Sequence, residues 1–459
     1  AETEDWASVP TRHTDPTGDG GALDLGRLWM AHDSTYLFLR LEVGSEINLS
    51  EGNGLTMYLD VDNDASTGRS TQGLGADVVW NFGERSGTMY EDGTSTEIGH
   101  ADLGLTALPT VTSSVFEIAL RRSVGGDRLL EGDSVRVAVA GGGDRLPDGE
   151  GGVGYAVSPT DLPPLSEASL ERPAEGLRLL TANVERGNLF AESAQPSYER
   201  IFRMAEAGVL GLSEVYEQSA EATAQTVQEL TAYDGTWHHA KLGQDLVAVS
   251  RYPIQETHAI PGYEDNQAGA FLLDTSERIG TKTLLVLAHP PCCNFSDAEP
   301  SRDARRQMVV DGIVAFLRDV KAGEGPFAVA PETPIVVAGD MNFVGDDQQP
   351  TTLRTGDIVN NDRFGPDAAP DWDGSPLLDT SPRQTGAPLH ATWISEGSSF
   401  PPGRLDYVYI SDSVLEVQNE YVLRTDELAP NRRAEHGLEA GDTETASDHL
   451  PIVVDLTLR

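Results

Sequence analysis

The stretch "IVVAGDMNF", residues 335–343, is an apolar run that ends in a carboxylate and, two residues later, an amide. Its β-branched residues predict a buried strand that ends at Asp340. Because residues i and i+2 of a strand point to the same face, Asp340 and Asn342 can converge on one target. Sites are commonly built where the strands of a sheet end. The stretch therefore predicts a functional site at this strand end.

Other apolar runs of the chain carry polar groups in the same way. Any one of these groups alone is more often a cap, a turn residue or a solvated side chain. The ordered set is much harder to attribute to chance. Its members are Asn183 in "LRLLTANV", Glu214 in "VLGLSEV", His289 at the end of "LLVLAH", Asp406 in "GRLDYVYI", and Asp448 and His449 in "ASDHLPIVV".

The chemistry of this set is coherent. Carboxylate and amide oxygens, offered here by Glu214, Asp448 and Asn183, are the ligands that Mg²⁺ and Mn²⁺ prefer. His449 beside Asp406 makes an oriented base, and His289 adds a second group that can transfer a proton. This inventory fits the attack of water on a phosphorus ester.

The chain changes character along its length. Short β-rich runs separated by Gly, Asp and Asn clusters predict an all-β sandwich over residues 1–160. The prolines of residues 161–176 predict an exposed linker. Over residues 177–459 strand-like runs alternate with helical ones, as in mixed α/β domains. One of the helical runs, near 301–321, has apolar residues at helical spacing, which predicts a buried stripe.

Residues 177–459 resemble the metal-dependent endonuclease/exonuclease/phosphatase superfamily, which has the deoxyribonuclease-I-like fold. The motifs occur in the family order, and the last three are specific in combination. They are "TANV", "LSEV", where many members have Gln in place of Ser213, "LAH", "GDMN", "RLDYV" and "SDHLPIVV". The resemblance implies a four-layer α/β sandwich for these residues, so that, together with the N-terminal all-β sandwich, the chain is predicted to be an α+β protein.

The resemblance also implies a role for each matching residue. Glu214 is the chief ligand of Mg²⁺ or Mn²⁺, supported by Asn183 and Asp448. His449, oriented by Asp406, activates the attacking water or stabilises the phosphoryl oxygens.

Three further roles come from the same resemblance. Asp340 and Asn342 hold the nucleophile and the phosphate, and Asp340 also touches a second metal in one version of the mechanism. His289 assists the leaving group or binds phosphate. Asp245, in "GQDLVAVSRYPI", is a candidate for the acid that steers the His289 ring, and the alternative is a turn residue.

In the N-terminal domain, "LDVDNDASTG" (59–68) places Asp60, Asp62 and Asp64 at alternate positions before a glycine. This spacing suits a Ca²⁺ loop, although the acidic residue of a helix–loop–helix calcium site is missing. The alternative is an Asp/Asn turn in an acidic protein. The domain faintly resembles the carbohydrate-binding-module-like β-sandwiches of exported bacterial enzymes, so we expect a secreted or cell-surface protein.

The chain is strongly acidic, with 74 Asp and Glu against 32 Lys and Arg and a net charge of −42. The excess is spread evenly: 27 acidic against 10 basic residues up to residue 165, and 47 against 22 after it. A surface so acidic repels itself unless salt screens it, and the Debye length falls to about 3 Å at 1 M salt. We interpret the composition as adaptation to high salt; the alternative is an ordinary acidic secreted protein.

The two cysteines, Cys292 and Cys293, are adjacent, so they cannot form a disulfide framework. Two reduced thiols are a simpler interpretation than a strained vicinal disulfide. The sequence contains no apolar run long enough to span a membrane. It also gives no sign of an obligate protein partner.

The function predicted from these features is metal-dependent hydrolysis of a phosphodiester, with nucleic acid as the first candidate substrate. A nuclease binds a polyanion, and the sequence has no basic run. High salt weakens that objection, because phosphate contacts then contribute little affinity. The alternatives are a phosphomonoesterase, a phospholipid- or sphingomyelin-type phosphodiesterase, and a non-catalytic binding protein whose working part is the sandwich.

Overall fold

The computed structural model describes residues 5–124, 129–130, 133–157, 167–263, 267–293 and 300–459. The chain divides into two compact units. The first consists of Ala1–Pro164 and Ile394–Gly403, and the second of Leu165–Trp393 and Arg404–Arg459.

The described part of the first unit is an antiparallel β-structure with one short helix, α1 (His100–Leu103). Its strands are β1 (Thr11–Thr14), β2 (Arg27–His32), β3 (Tyr36–Ile47), β4 (Thr56–Asp60), β5 (Arg69–Thr71), β6 (Leu74–Ala76), β7 (Val78–Asn81), β8 (Ser86–Glu91), β9 (Thr94–Ile98), β10 (Thr106–Leu108), β11 (Ser113–Arg121), β12 (Ser134–Gly141), β13 (Asp144–Leu146) and β14 (Val153–Ala156).

These strands form two main sheets within the described residues. One has the order β1-β2-β3-β11-β10, and the other has the order β13-β12-β4-β7-β8-β9, with β14 also paired to β12. Strands β5 and β6 form a small hairpin of their own between β4 and β7. Apolar residues of both main sheets, such as Leu39 and Trp80, belong to one buried cluster. This part of the chain is therefore a β-sandwich, as the sequence predicts.

The second unit mixes strands and helices. Its described strands are β15 (Leu177–Asn183), β16 (Val209–Ser213), β17 (His238–Leu242), β18 (Leu246–Ser250), β19 (Ile254–Ala259), β20 (Ala268–Leu273), β21 (Thr283–Ala288), β22 (Ile335–Asp340), β23 (Leu378–Asp379), β24 (Asp406–Ile410), β25 (Leu415–Val422) and β26 (Ile452–Leu458). Its described helices are a 3₁₀ turn (Asn188–Phe190), α2 (Gln195–Ala205), α3 (Ala220–Thr231), α4 (Ser276–Ile279), α5 (Arg302–Ala322), α6 (Gln348–Thr355), α7 (Asn361–Phe364), α8 (Pro430–His436) and α9 (Asp442–Ala446).

The described strands of this unit form two six-stranded mixed sheets, in the orders β17-β18-β16-β15-β26-β25 and β19-β20-β21-β22-β24-β23. Strands β15 and β16 of the first sheet pack against β22 of the second. Because both central strands are covered on both faces, every residue of β15 and of β22 is buried. Helices α2, α3 and α9 contribute to the apolar cluster on one outer face, and α5 and α7 to a cluster on the other. The result is the four-layer α/β sandwich that the family resemblance implies.

The predicted linker needs a partial revision. Residues 161–166 lie outside the described part of the chain. Residues 167–176 are irregular but not fully exposed, because Leu170 is 1 % exposed and belongs to an apolar cluster of the second unit. The Leu170 carbonyl accepts a hydrogen bond from Arg178 Nη1 at 3.0 Å. Arg178 is itself buried and makes two 2.7 Å hydrogen bonds to Asp455.

A second difference concerns Ile394–Gly403, which the sequence assigns to the C-terminal domain and which packs within the first unit. The Ser398 carbonyl lies 2.9 Å from His100 Nε2. The guanidinium of Arg85 stacks over the Phe400 ring at 4.1 Å from its centroid. This segment contains no strand or helix, so hydrophobic periodicity could not assign it. It was therefore placed with its neighbours in the chain.

Candidate active site

The two sheets of the second unit meet at the ends of β15 and β22. Asn183 is the last residue of β15, and Asp340 is the last residue of β22. Asn183 Nδ2 donates to Asp340 Oδ2 at 3.0 Å and to Glu214 Oε1 at 3.1 Å. The Asn183 amide therefore links polar groups at the ends of β15, β16 and β22. These strands belong to both sheets of the second unit, so the two sheets contribute to one site.

Glu214 follows β16 directly and has a positive φ of 63°. Its Oε2 atom accepts a hydrogen bond from the Arg186 backbone N–H at 2.7 Å. Glu185, Arg186 and Asn342 also have positive φ values, of 42°, 54° and 49°. Non-glycine residues in this region of backbone space cost free energy and cluster at functional sites. The backbone here is shaped to present these side chains.

His289 follows β21 and is steered by Asp245. His289 Nδ1 lies 2.5 Å from Asp245 Oδ2, which also accepts the Glu214 backbone N–H at 3.0 Å. The other ring nitrogen, Nε2, lies 3.5 Å from Asp340 Oδ2 and 3.9 Å from Glu214 Oε1. Burial lowers the pKa of His289, but the hydrogen bond to Asp245 and the charges of Asp340, Asp245 and Glu214 outweigh it and raise the pKa to about 9.

His449 precedes β26 and is steered by Asp406 at the start of β24. His449 Nδ1 lies 2.8 Å from Asp406 Oδ2, and its Nε2 lies 3.7 Å from Asp340 Oδ2. The backbone N–H of Asp406 donates to Thr392 Oγ1 at 2.9 Å, which fixes the start of the strand. Burial lowers the pKa of His449, but the charges of Asp406 and Asp340 outweigh it and raise the pKa to about 10.

Asp340 is the centre of the site, because the Nε2 atoms of both histidines face its Oδ2 atom. Its Oδ1 accepts the Asn342 backbone N–H at 3.0 Å. The Asn342 amide bridges Asp340 Oδ2, at 3.2 Å, and the Pro290 carbonyl, at 3.0 Å. Burial raises the pKa of Asp340 to about 6, against the opposing effect of His449. The carboxylate is thus a base of near-neutral strength between two cationic rings.

Asp448 lies at the edge of this centre. Its Oδ2 atom accepts a hydrogen bond from Trp393 Nε1 at 2.9 Å. Burial raises the pKa of Glu185, and the charges of Asp448 and Glu214 raise it further. These three carboxylates therefore repel one another, which makes their common edge attractive to a cation.

Three residues of this neighbourhood were missed in the sequence. Glu185 and Arg186 follow "TANV" directly, so their position beside a motif was an available signal. Trp393 lies far from every motif in the sequence, and nothing in its surroundings marked it.

The arginines at the start of α5 support the loop beside the site. Arg306 is fully buried and donates to the Pro291 carbonyl at 3.0 Å and to Gln349 Oε1 at 3.1 Å. Arg302 Nη1 donates to the Cys292 carbonyl at 2.7 Å. Cys292 and Cys293 are free thiols. Residues 294–299 of this loop lie outside the described part of the chain.

The oxygen atoms of the site suit a hard divalent cation such as Mg²⁺. Glu214 and Asp448 both lie close enough to Glu185 to raise its pKa, and Asn183 Oδ1 accepts the Glu185 backbone N–H at 2.9 Å. Carboxylate and amide oxygens of this type are the usual ligands of Mg²⁺ and Mn²⁺. Asp340, Asp406 and His449 also each place a ligand atom within 4.8 Å of the others. In this second group, His449 Nδ1 is already hydrogen-bonded to Asp406. We therefore interpret the group mainly as an imidazole ring that a carboxylate orients.

The fold and this constellation define a class of protein: a metal-dependent hydrolase of phosphate esters. The endonuclease/exonuclease/phosphatase family model matches residues 180–449, which is more than half of the chain. The chain therefore belongs to that family, whose enzymes use divalent metal ions. A comparison with curated protein sequences gave no match.

Solved structures that match the chain include the following three. The catalytic domain of human Nocturnin with bound sulfate is 15 % identical, covers 62 % of this chain and 95 % of its own, and has a TM-score of 0.38. Sphingomyelinase C from Streptomyces griseocarneus is 16 % identical, with 61 % and 99 % covered and a TM-score of 0.37. Beta toxin from Staphylococcus aureus with bound magnesium ions is 13 % identical, with 61 % and 99 % covered and a TM-score of 0.35.

Proposed function

We propose that the protein is a Mg²⁺- or Mn²⁺-dependent phosphodiesterase. The observation that supports this most strongly is the arrangement around Asp340. Two imidazoles, each hydrogen-bonded through Nδ1 to its own acid, direct Nε2 at one buried carboxylate oxygen. Such a cluster combines anion-binding donors with a base, which is what water attack on a phosphate ester requires.

In this proposal Glu214, with Asn183 and Asp448, would hold the metal ion, which would supply Lewis-acid polarisation of a phosphoryl oxygen. The Asn183 amide links Glu214 to Asp340, so it sets the position of the metal ligands relative to the base.

The two histidines and Asp340 supply the proton transfers and the hydrogen bonds to the substrate. His289 and His449 have raised pKa values, so at neutral pH both rings are protonated and their Nε2–H groups can donate to phosphoryl or leaving-group oxygens. Asp340, with a pKa of about 6, is ionised at neutral pH and can accept the proton of the attacking water. This refines the sequence-based hypothesis, in which His449 served either as the base or as the group that stabilises the phosphate.

For the substrate, we propose a phosphodiester in nucleic acid first and a small or lipid-derived phosphodiester second. The net charge of −42 disfavours a polyanion in dilute buffer. At molar salt, however, this repulsion is screened and short-range contacts at the site decide the choice. A phosphomonoesterase remains the third candidate. A non-catalytic role is disfavoured, because every motif position retains its acid, amide or imidazole.

The experiment that tests this proposal is a substrate panel with Mg²⁺, Mn²⁺ or Ca²⁺ at low and molar KCl. Its substrates are plasmid DNA, RNA, bis-(nitrophenyl) phosphate, nitrophenyl phosphate and sphingomyelin. We expect cleavage of the diesters that EDTA abolishes. Turnover of nitrophenyl phosphate alone would overturn the diesterase assignment, and no turnover of any substrate would favour a binding protein.

For the first unit, we propose a Ca²⁺ site in the turn after β4. The sequence suggested Asp60, Asp62 and Asp64. The carboxylate oxygens that lie within 4.8 Å of one another belong to Asp60, Asp62 and Asp77. Asp64 Oδ1 instead accepts hydrogen bonds from the backbone N–H and hydroxyl of Ser66, at 2.9 and 2.6 Å.

Two observations support a cation in this group of three. The buried Asp60 Oδ1 atom has no hydrogen-bond partner among the described residues. Burial raises the pKa of Asp77 to about 6, with contributions from the charges of Asp62 and Asp60.

We further propose that the protein works at high salt and outside the cell. The proposal rests on the evenly distributed acidic excess and on the likeness of the sandwich to domains of exported enzymes. Among the described residues, no helix combines the length and the apolar character that crossing a membrane requires.

A further inference from the structure

A loop between β1 and β2 wraps around Asp144, the first residue of β13. The Ala22 backbone N–H donates to the Gly142 carbonyl at 2.9 Å, and the Leu25 N–H donates to Asp144 Oδ2 at 2.6 Å. At its start, the Asp15 N–H donates to the Gly26 carbonyl at 2.8 Å, which closes the loop. Because β1 and β13 belong to different sheets, the loop joins the two sheets at one corner of the sandwich.

Three carboxylates meet at this corner. Asp15, Asp19 and Asp144 each place one oxygen within 4.8 Å of the others. Asp15 and Asp144 are 2 % and 5 % exposed, whereas Asp19 is exposed. The cluster therefore has a buried floor and one side open to solvent.

Asp15 supplies an independent sign that a ligand belongs here. Both of its oxygens are buried and have no hydrogen-bond partner among the described residues. Burial of a carboxylate without hydrogen-bond donors is energetically unfavourable. The Nε2 atom of the half-exposed His13 lies 3.4 Å from Oδ1. No hydrogen-bond donor among the described residues reaches Oδ2.

The neighbouring charges make this burial more costly. Burial is the largest contribution to the raised pKa of Asp15, and the charges of Asp148 and Asp144 add to it, so that the pKa reaches about 6 despite the opposing effect of His13. The carboxylates of this corner therefore repel one another more than His13 offsets.

The loop is also shaped for a close approach to Asp144. A Cβ atom at Gly20 would lie 2.9 Å from Asp144 Oδ2 and 2.2 Å from the Leu23 carbonyl oxygen, so only glycine fits. The Asp24 carboxylate accepts the backbone N–H groups of Gly18 and Gly20, at 2.8 and 3.2 Å. This holds the loop so that its carboxylates face Asp144.

We infer that Asp15, Asp19 and Asp144 form a Ca²⁺ site that clips the two sheets of the sandwich together. An all-oxygen set of three carboxylates suits a hard cation, and the open side leaves room for the water ligands that Ca²⁺ commonly keeps. Bound Ca²⁺ gives both Asp15 oxygens a partner and offsets the repulsion from Asp144. The role of the ion is structural, because it ties the β1–β2 loop to β13.

The test uses the full chain, because other cation sites are proposed in it. Equilibrium dialysis with radioactive Ca²⁺ in the presence of saturating Mg²⁺ measures the bound Ca²⁺ per chain. The variants are Asp15→Asn, Asp19→Asn and, as a matched control, Asp148→Asn. Asp148 is an exposed neighbour of Asp15 that lies outside the cluster. Its substitution removes the same charge nearby without removing a ligand.

We expect Asp15→Asn to lose one equivalent of Ca²⁺ and Asp19→Asn to bind that equivalent at least tenfold more weakly. Asp148→Asn should keep the wild-type stoichiometry. Wild-type binding by Asp15→Asn, or equal affinities of Asp19→Asn and Asp148→Asn, would overturn the inference.

Thermal unfolding provides a second readout that does not depend on counting ions. Ca²⁺ should raise the melting temperature of the wild type more than that of Asp15→Asn. In EDTA, Asp15→Asn should melt at or above the wild type, because it removes a buried charge without donors. If His13 were the true partner of Asp15, His13→Gln would lower the melting temperature equally with and without Ca²⁺, and that result would contradict a cation site.

Discussion

Buried carboxylates occur in both units of the molecule, and their surroundings differ. In the second unit, Asp340 is surrounded by two imidazoles and by the amides of Asn183 and Asn342. In the first unit, Asp15 and Asp60 keep buried oxygens without hydrogen-bond donors among the described residues. The same residue type is thus surrounded by imidazole and amide groups in one place and lacks hydrogen-bond donors in the other.

The surroundings of these carboxylates indicate two different roles, proton transfer in the second unit and cation binding in the first. Asp340 is stabilised by groups that can also hold or transfer a proton, so its environment suits turnover. A carboxylate without such donors needs a permanent counter-ion, which suits a structural cation. A failed prediction in either unit would remove the proposal made for that unit.

The largest effect is expected at the catalytic centre. Glu214→Gln and His449→Ala should each lower kcat by about 10³-fold, the scale of losing a metal ligand or a positioned acid or base. The measurement is hydrolysis of bis-(nitrophenyl) phosphate at saturating Mn²⁺, with circular dichroism to verify folding. Glu256→Gln and His239→Ala are matched controls on exposed strand positions. Full activity in either active-site variant would refute the mechanism.

The second prediction concerns pH. Asp340 accepts a proton as pH falls through about 6, and His289 loses its proton as pH rises through about 9, so kcat should fall on both sides of a plateau. Each limb should approach a tenfold loss per pH unit. A bound divalent cation lowers these pKa values, so both limbs should lie at or below them. A kcat that stays constant between about pH 5 and about pH 10 would exclude these assignments.

The third prediction concerns Ca²⁺ at the turn after β4. Asp62→Asn removes a carboxylate of the Asp60–Asp62–Asp77 group but keeps an oxygen to accept the Asp64 N–H. It should lose the stabilisation that Ca²⁺ at this turn contributes, which is about 2.7 kcal/mol at a concentration 100 times Kd.

The matched control for this prediction is Asp64→Asn, which removes the same charge from the same turn and keeps an acceptor for Ser66. It should retain the Ca²⁺-dependent increase in melting temperature. If the two variants behave alike in thermal unfolding with and without Ca²⁺, the effect is general electrostatics and this site does not exist.

The smallest and most diffuse effect is that of salt. Screening of 42 net negative charges should raise the melting temperature of the whole chain between dilute buffer and about 2 M KCl. Equal melting temperatures under the two conditions would contradict adaptation to high salt. Saturating Ca²⁺ and Mg²⁺ in both samples separates this effect from cation binding.

Much of the second unit was readable from the sequence. The apolar runs "LRLLTANV", "VLGLSEV" and "IVVAGDMNF" contain β15, β16 and β22, because buried strands in mixed sheets are almost continuously apolar. The predicted helix near 301–321 corresponds to α5. Its buried surface includes Arg306 and Asp311 as well as the apolar stripe, because α6 and α7 cover another face, and hydrophobic periodicity cannot show such polar burial.

The candidate active site could be predicted from the sequence only in part. Its motif residues could be named, because each stands at the end of a strand in a fixed order. The pairing of His449 with Asp406, and the candidate pairing of His289 with Asp245, came from the family resemblance, because each joins segments that are far apart in the chain. Trp393, Asp77 and the corner formed by Asp15 and Asp144 had no local signal, since each acquires its meaning from a distant partner.

The amino-acid sequence alone gives the residue types, their order along the chain, the two kinds of secondary-structure pattern and the acidic charge, because those properties are local or additive. The folded structure was needed to show which carboxylates share a site, which of them face hydrogen-bond donors and which are buried without such donors. The reason is that burial and pairing depend on distances between segments tens to hundreds of residues apart, and the same Asp can be a catalytic base, a turn residue or a metal ligand according to what surrounds it.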